Sequence, residues 1–195
     1  FQKMVAMAPS KEEYLETSVL HLAKNRLTWL LVLMVSATFT GSIISKYEEI
    51  IEQMVVLAAA IPMLMDTGGN AGSQSSTLII RGMALGEIKM NDYLKVVWKE
   101  LRVSLIVGLG LGAVNFLRMN YILKQDFKMS MLVSFTLGIT VVIAKLVGGL
   151  LPIGAKKLKL DPAIMAGPLV TTIVDALALV IYFYLAMFLY SDVLR

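Results

Sequence analysis

Apolar and polar stretches alternate along the chain in long blocks, with apolar runs over residues 27–44, 53–80, 102–118, 129–152 and 163–190. Each run is long enough for a helix that crosses a hydrocarbon layer, which takes roughly 17–25 residues. The pattern predicts an all-α polytopic membrane protein with five transmembrane helices, the second interrupted at a Gly-rich segment. Residues 1–26 are more polar and form a separate N-terminal segment ahead of a transmembrane domain over 27–195. Within that segment Ser10 and Glu13 have the spacing of a capping box, which would open a short helix with Leu15, Val19 and Leu20 on one face. Such an amphipathic piece is expected to lie along the membrane surface. A cleavable signal peptide is not expected, because 26 residues of mixed charge precede the first apolar run and no small-residue cleavage site follows it.

Composition sharpens this picture. Of 195 residues, 57% are apolar and 16% charged, against about 45–50% and 25% in a soluble domain, so a large soluble domain does not fit. The absence of cysteine and the single His21 exclude disulfides, thiolate or multi-histidine metal sites and cysteine nucleophiles. The net charge of +4 matters through its distribution. Five spans place the termini on opposite sides. Lys11, Lys24 and Arg26, then Arg81, Lys89, Lys95, Lys99 and Arg102, then Lys156, Lys157 and Lys159 fall on the N-terminal side. Only Lys46, Arg118, Lys124, Lys128 and Arg195 fall opposite. The positive-inside bias therefore predicts a multi-pass plasma-membrane protein with a cytoplasmic N-terminus and an external C-terminus. The external side also carries Glu48, Glu49, Glu52, Asp126 and Asp192, either a solvated rim or an acidic vestibule that draws cations to a pore mouth.

Ionisable residues within spans cost several kcal/mol unless they meet a partner or a water-filled path. Asp175 stands almost at the midpoint of 163–190 and is the first candidate; the structural alternative is an aspartate paired with a lysine or capped by Thr171 and Thr172. Asp66 heads the run Asp66-Thr67-Gly68-Gly69-Asn70-Ala71-Gly72-Ser73-Gln74. Its glycines weaken a helix and allow close backbone approach, and Pro62 frees the carbonyl of Ala58. Irregular backbone at that depth belongs where it lines a cavity, so a broken helix is expected there. Asn70 and Gln74 would share a face if the helix resumes. In the last span Asp161-Pro162 reads as a helix start, and Gly167-Pro168 inside the span frees the carbonyl of Ile164. Lys145 is expected to snorkel to the interface, with a counter-charge to Asp66 or Asp175 as the lesser alternative. Asn115 is expected to bond between helices, and Gly108-x-Gly110-x-Gly112 to permit close helix packing. The 13 methionines show no repeated ligand spacing. No GxGD-type aspartate pair or serine and histidine pair occurs within the spans, which argues against an intramembrane protease, and no enzymatic role is expected.

Carboxylates, amides, hydroxyls and carbonyls are the ligands of hard divalent cations. In a symmetric dimer one Asp175 per subunit would place two negative charges at one axial site. The run from Pro62 to Gln74, with Asp161-Pro162-Ala163 and the run from Gly167 to Asp175, resembles the membrane domain of the MgtE magnesium channels. The pairing of GGNAGxQ with TTxxD is far more restrictive than either element alone. The resemblance implies a homodimeric channel with five helices per subunit that passes Mg2+ passively into the cytoplasm. It also implies that Asp175 is the pore aspartate, that Asn70 lines the pore, and that Gly69 and Thr171 lie in backbone segments facing the ion. With Asp66, these are the expected metal-binding residues, while Thr67, Gly68, Gln74, Thr172 and Pro168 line the path. Asp66 departs from the family pattern, where a small or neutral residue is expected. Typical members carry a cytosolic helical domain and paired CBS domains ahead of the membrane part, and these are not among the present residues. A separate cytosolic regulatory domain or protein is therefore an expected partner. The rival function is a secondary exchanger of a divalent cation for Na+ or H+, and a membrane scaffold is a further one.

Overall fold

The structure is a computed structural model that describes residues 15–165 and 167–191. Ser18 is in extended conformation, and its Oγ accepts the His21 N–H at 3.3 Å, which makes it the N-cap of helix α1 (Val19–Lys46). This helix runs without a break through residues expected in the surface segment and through the first apolar run. Val19 and Leu20 are thus its first turn and not part of a separate element. The capping box at Ser10 and Glu13 lies outside the described residues. Tyr47 ends α1, and its ring stacks on Phe183 with 4.6 Å between centroids. A short helix α2 (Glu48–Gln53) then carries the acidic residues Glu48, Glu49 and Glu52.

Helix α3 (Val55–Ala84) is followed by a 3-10 turn at Met90–Asp92 and by α4 (Tyr93–Leu117). Asp92 holds that turn by accepting the Lys89 N–H at 3.0 Å and the Lys95 ammonium at 2.8 Å. Beyond α4 the chain widens into a π-helical turn, Arg118–Ile122. Asp126 caps α5 (Phe127–Lys157) through the N–H groups of Lys128 and Met129, so one of the acidic rim residues has a structural task. After a 3-10 turn at Pro162–Met165, helix α6 (Pro168–Leu189) completes an all-helical chain, with no strand among the described residues.

Among the described residues four helical stretches are long and apolar enough to cross a membrane: α1, the stretch Met90–Ile122 that contains α4, then α5, and α6. The 30-residue α3 is long enough but is not in that set, because its polar residues dilute the apolar ones. What α3 does instead is pack. The centre of the bundle is α5, in contact with α3, α4 and α6, while α6 also packs on α3 and α1. At one end Leu57 and Leu64 of α3, Val133 of α5, and Leu179, Tyr182 and Phe183 of α6 form a buried core. There the Tyr182 hydroxyl donates to the Leu57 carbonyl at 3.1 Å. Thr40 is the sole buried residue of α1, and most of that helix faces outward.

Two backbone expectations are corrected. The break anticipated at Asp66–Gln74 is absent, and α3 is helical throughout, with Pro62 inside it. Glycines lower helix stability by about 1 kcal/mol each against alanine, but these are the positions where neighbouring helices come closest. A Cβ at Gly68 would stand 2.7 Å from Thr140 and 2.9 Å from Val174, and one at Gly72 would stand 2.7 Å from Val170. A Cβ at Gly148 would meet the Gly72 carbonyl oxygen. Close packing on α5 and α6 outweighs the local propensity. Conversely, Gly167-Pro168 does not interrupt a helix; it starts one. Gly167 has φ 51° and Pro168 is the first helical residue, a position whose missing N–H costs nothing. The discontinuity of the last apolar run is therefore a fresh helix start preceded by a 3-10 turn. The glycine-rich stretch of α4 behaves as its spacing predicts, with Gly108 against the backbone of Gly138 and Gly112 against the Ser134 carbonyl. The Asn115 amide donates to Ser134 Oγ at 3.0 Å.

Candidate functional site

Seating the glycine face of α3 on α5 and α6 turns its opposite face outward. Asp66, Asn70 and Gln74 recur every fourth residue on that outer face and are all exposed, and Thr77 and Arg81 extend the row. Residues four apart share one side of a helix, so a continuous α3 makes a polar stripe where a broken one would have scattered these groups. Continuity of the helix is what aligns them.

The first two turns of α6 lie beside this stripe. A Cβ at Gly69 would stand 2.9 Å from Thr171 Cγ2, and Pro168, Thr171, Thr172 and Asp175 are all half-buried. The hydroxyls of Thr171 and Thr172 both donate to the Pro168 carbonyl at 2.9 Å. They are thereby committed to the start of α6 and do not cap Asp175. Lys145 does not pair with it either: that side chain is only 6% exposed on α5 and forms no ion pair with Asp66 or Asp175. Burial of Lys145 by its neighbours also differs from the expected extension to the interface. Asp175 Oδ1 is left buried without a hydrogen-bond donor, and Val174 beside it lies against Gly68 of α3, two residues from Asp66. Neither carboxylate forms an ion pair among the described residues.

The structure sets the row of Asp66, Asn70 and Gln74 on the helix that meets the start of α6 at the Gly69–Thr171 contact, and Thr172 and Asp175 follow Thr171 within the next turn of α6. Gly68 and Gly69 are buried at the contact itself, and Thr67 beside them is half-buried, as are Thr171, Thr172 and Asp175. With α3 helical here, its carbonyls take part in helix bonding. No group of three or more carboxylate or histidine side chains able to hold a metal ion forms among the described residues. One chain therefore offers two carboxylates and a row of amide and hydroxyl oxygens, which suits an ion that keeps water around it.

Some features were not anticipated. Thr77 and Arg81 continue the stripe, and the helical spacing from Asp66 onward signals them once α3 is taken as unbroken. Ser75 donates to Glu100 Oε2 at 2.6 Å in a buried bond between α3 and α4, for which the sequence carries no signal. Asp192, counted with the acidic rim, lies outside the described residues.

Residues 61–185 match the family model MgtE, described as a divalent cation transporter. The magnesium transporter MgtE of Bacillus subtilis (strain 168) is 35% identical over 179 residues, which is 92% of this chain and 40% of that protein. Its counterpart in Thermus thermophilus is 35% identical over 181 residues, with the same two coverages. That of Enterococcus faecalis is 29% identical over 174 residues, 89% of this chain and 38% of that protein. The chain thus spans about two fifths of the length of the curated relatives it matches.

Proposed function

Because the chain belongs to the MgtE family of divalent cation transporters, we propose that it conducts Mg2+ passively along the outer face of α3 beside Asp175, in a pore completed by a second copy of the chain. The observation that carries this reading is the uncovered polar stripe of Asp66, Asn70 and Gln74 next to an Asp175 oxygen with no donor. At membrane depth such groups need water or other polar groups, since lipid supplies no hydrogen bonds. A twofold axis along the stripe sets like surface on like, makes α3 the fifth membrane span, and brings two aspartates from each chain to a common water-filled path.

The ligand chemistry favours a hydrated hard cation. Mg2+ dehydrates reluctantly and is commonly held through its waters by one or two carboxylates. Asp175 from each copy supplies the central charge, Asp66 adds to it, and the Asn70 and Gln74 amides with Thr171 and Thr172 offer outer contacts to bound water. Gly69 and Pro168 set the spacing between α3 and α6. The similarity to magnesium transporters supports transport rather than catalysis. In this reading the N-terminus is cytoplasmic, and closure of the pore is the task of a cytosolic regulatory domain or protein.

Flux into liposomes reconstituted with purified chain tests the proposal. Uptake is expected to follow the Mg2+ gradient and voltage without a Na+ or H+ gradient, and to collapse in Asp175→Ala. A strict requirement for the second gradient would make the protein a coupled exchanger, and unchanged flux in Asp175→Ala would remove that residue from the path.

A further inference from the structure

On the side of α5 and α6 given over to apolar residues lies a groove of about 580 Å³, lined by residues that include Ile143, Leu146, Leu150, Gly154 and Leu158 of α5 and its following turn, and Ile173 of α6. Its lining carries no charged or amide side chain. From Ile143 to Leu158 it follows α5 for about 22 Å at 1.5 Å per residue, more than the roughly 15 Å depth of one leaflet's hydrocarbon. At one end the lining runs through Ala155, Leu158 and Leu160, the chain neighbours of Lys156, Lys157 and Lys159, which are all exposed and in no ion pair among the described residues. Between and after these lysines stand Leu158 and Leu160, 73% and 50% exposed.

The turn that presents the lysines is a Schellman-type helix ending. The Leu160 N–H reaches the Ala155 carbonyl at 2.9 Å and the Lys159 N–H reaches that of Lys156 at 3.1 Å. Lys159 holds the left-handed position, φ 59°, where glycine is free of strain and another L-residue costs roughly 1–2 kcal/mol. A third cation stands between the lining residues Leu158 and Leu160 despite that cost. Leucines that reach toward acyl chains and ammonium groups at headgroup level, beside an apolar slot as deep as a leaflet, complement a molecule with an anionic head and a hydrocarbon tail. A twofold contact centred here would instead set the three lysines of each copy against those of the other.

We propose that this groove binds an anionic phospholipid, one acyl chain lying along α5 and the phosphate held by Lys156, Lys157 and Lys159. Ile173 is two residues from Asp175 on α6, so the bound chain braces the helix that carries the candidate ion site. The binding itself does not depend on what the pore conducts.

Native mass spectrometry of the detergent-solubilised chain, titrated with phosphatidylglycerol or phosphatidylcholine, tests the proposal with no flux measurement. The wild type is expected to retain phosphatidylglycerol in preference. The variant Lys156→Gln, Lys157→Gln, Lys159→Gln is expected to lose most of that preference, roughly fivefold per lysine. Leu150→Trp keeps the lysines but fills the slot, and is expected to lose retention of both lipids, with circular dichroism and gel filtration confirming that each variant is folded. Equal retention of the two lipids by the wild type, or a preference that survives either variant, would overturn the proposal. So would efficient disulfide pairing of two copies through Leu146→Cys in this cysteine-free chain, because a second copy would then cover the groove.

Discussion

Asp66 and Asp175 differ in what surrounds them, and this decides how each is tested. Asp175 is half-buried with one oxygen lacking a donor, and Asp66 is exposed on the outer face of α3. Replacing Asp66 removes charge without opening a void. Asp66→Asn is therefore expected to leave thermal unfolding in detergent unchanged while weakening apparent divalent affinity roughly tenfold, within the range seen for groups that act on a metal through its outer shell. Competition between Mg2+ and Mn2+ in the flux assay reads this directly; unchanged affinity would make Asp66 a bystander. At this scale Asp66, Asp175, Asn70 and Gln74 stand out in the sequence as candidates, because polar side chains in apolar runs have few uses. The Lys145 side chain was misread, since its burial depends on neighbours from other helices, which no local window contains.

Among the elements, α3 shows how packing reverses a local rule. Three glycines within five positions signal a weak helix, yet α5 and α6 approach so closely at Gly68, Gly69 and Gly72 that side chains there would collide. Gly72→Ala is expected to lower stability by about 1–3 kcal/mol through overpacking against Val170 and to displace the stripe from α6, reducing flux. Gly110→Ala, where nothing lies within 4 Å, is expected to stabilise the fold by up to about 1 kcal/mol through helix propensity alone. Thermal unfolding of both variants checks the contrast, and equal effects would show that propensity rather than contact governs these sites. The start of α6 at Gly167-Pro168 is the complementary lesson: the two residues do break regular structure, but they do so by opening a helix, which commits Thr171 and Thr172 to the Pro168 carbonyl and leaves Asp175 to other partners.

Across the whole molecule, the single chain leaves its most polar helix face uncovered and its apolar faces open to lipid. The proposed pairing through α3 would cover the first. In the cysteine-free background a single Asn70→Cys is expected to be bridged between two copies in membranes by a short bismaleimide, and Ile106→Cys, on the exposed outer side of α4, is not. Failure of the Asn70 bridge alongside normal flux would place the path within one chain. The sequence by itself determined the membrane character and the helical class, and it singled out the oxygen-bearing side chains that are the candidates to meet a cation. It could do so because burial in hydrocarbon makes every polar residue conspicuous. Only the tertiary structure decided that α3 is unbroken, that its glycines are contact points on α5 and α6, that α6 begins at Pro168, and that Asp66, Asn70 and Gln74 form one row on the outer face of α3. Those outcomes depend on how closely separate helices approach one another, and close approach between segments far apart in the chain is a property of the packed bundle that no local stretch of sequence expresses.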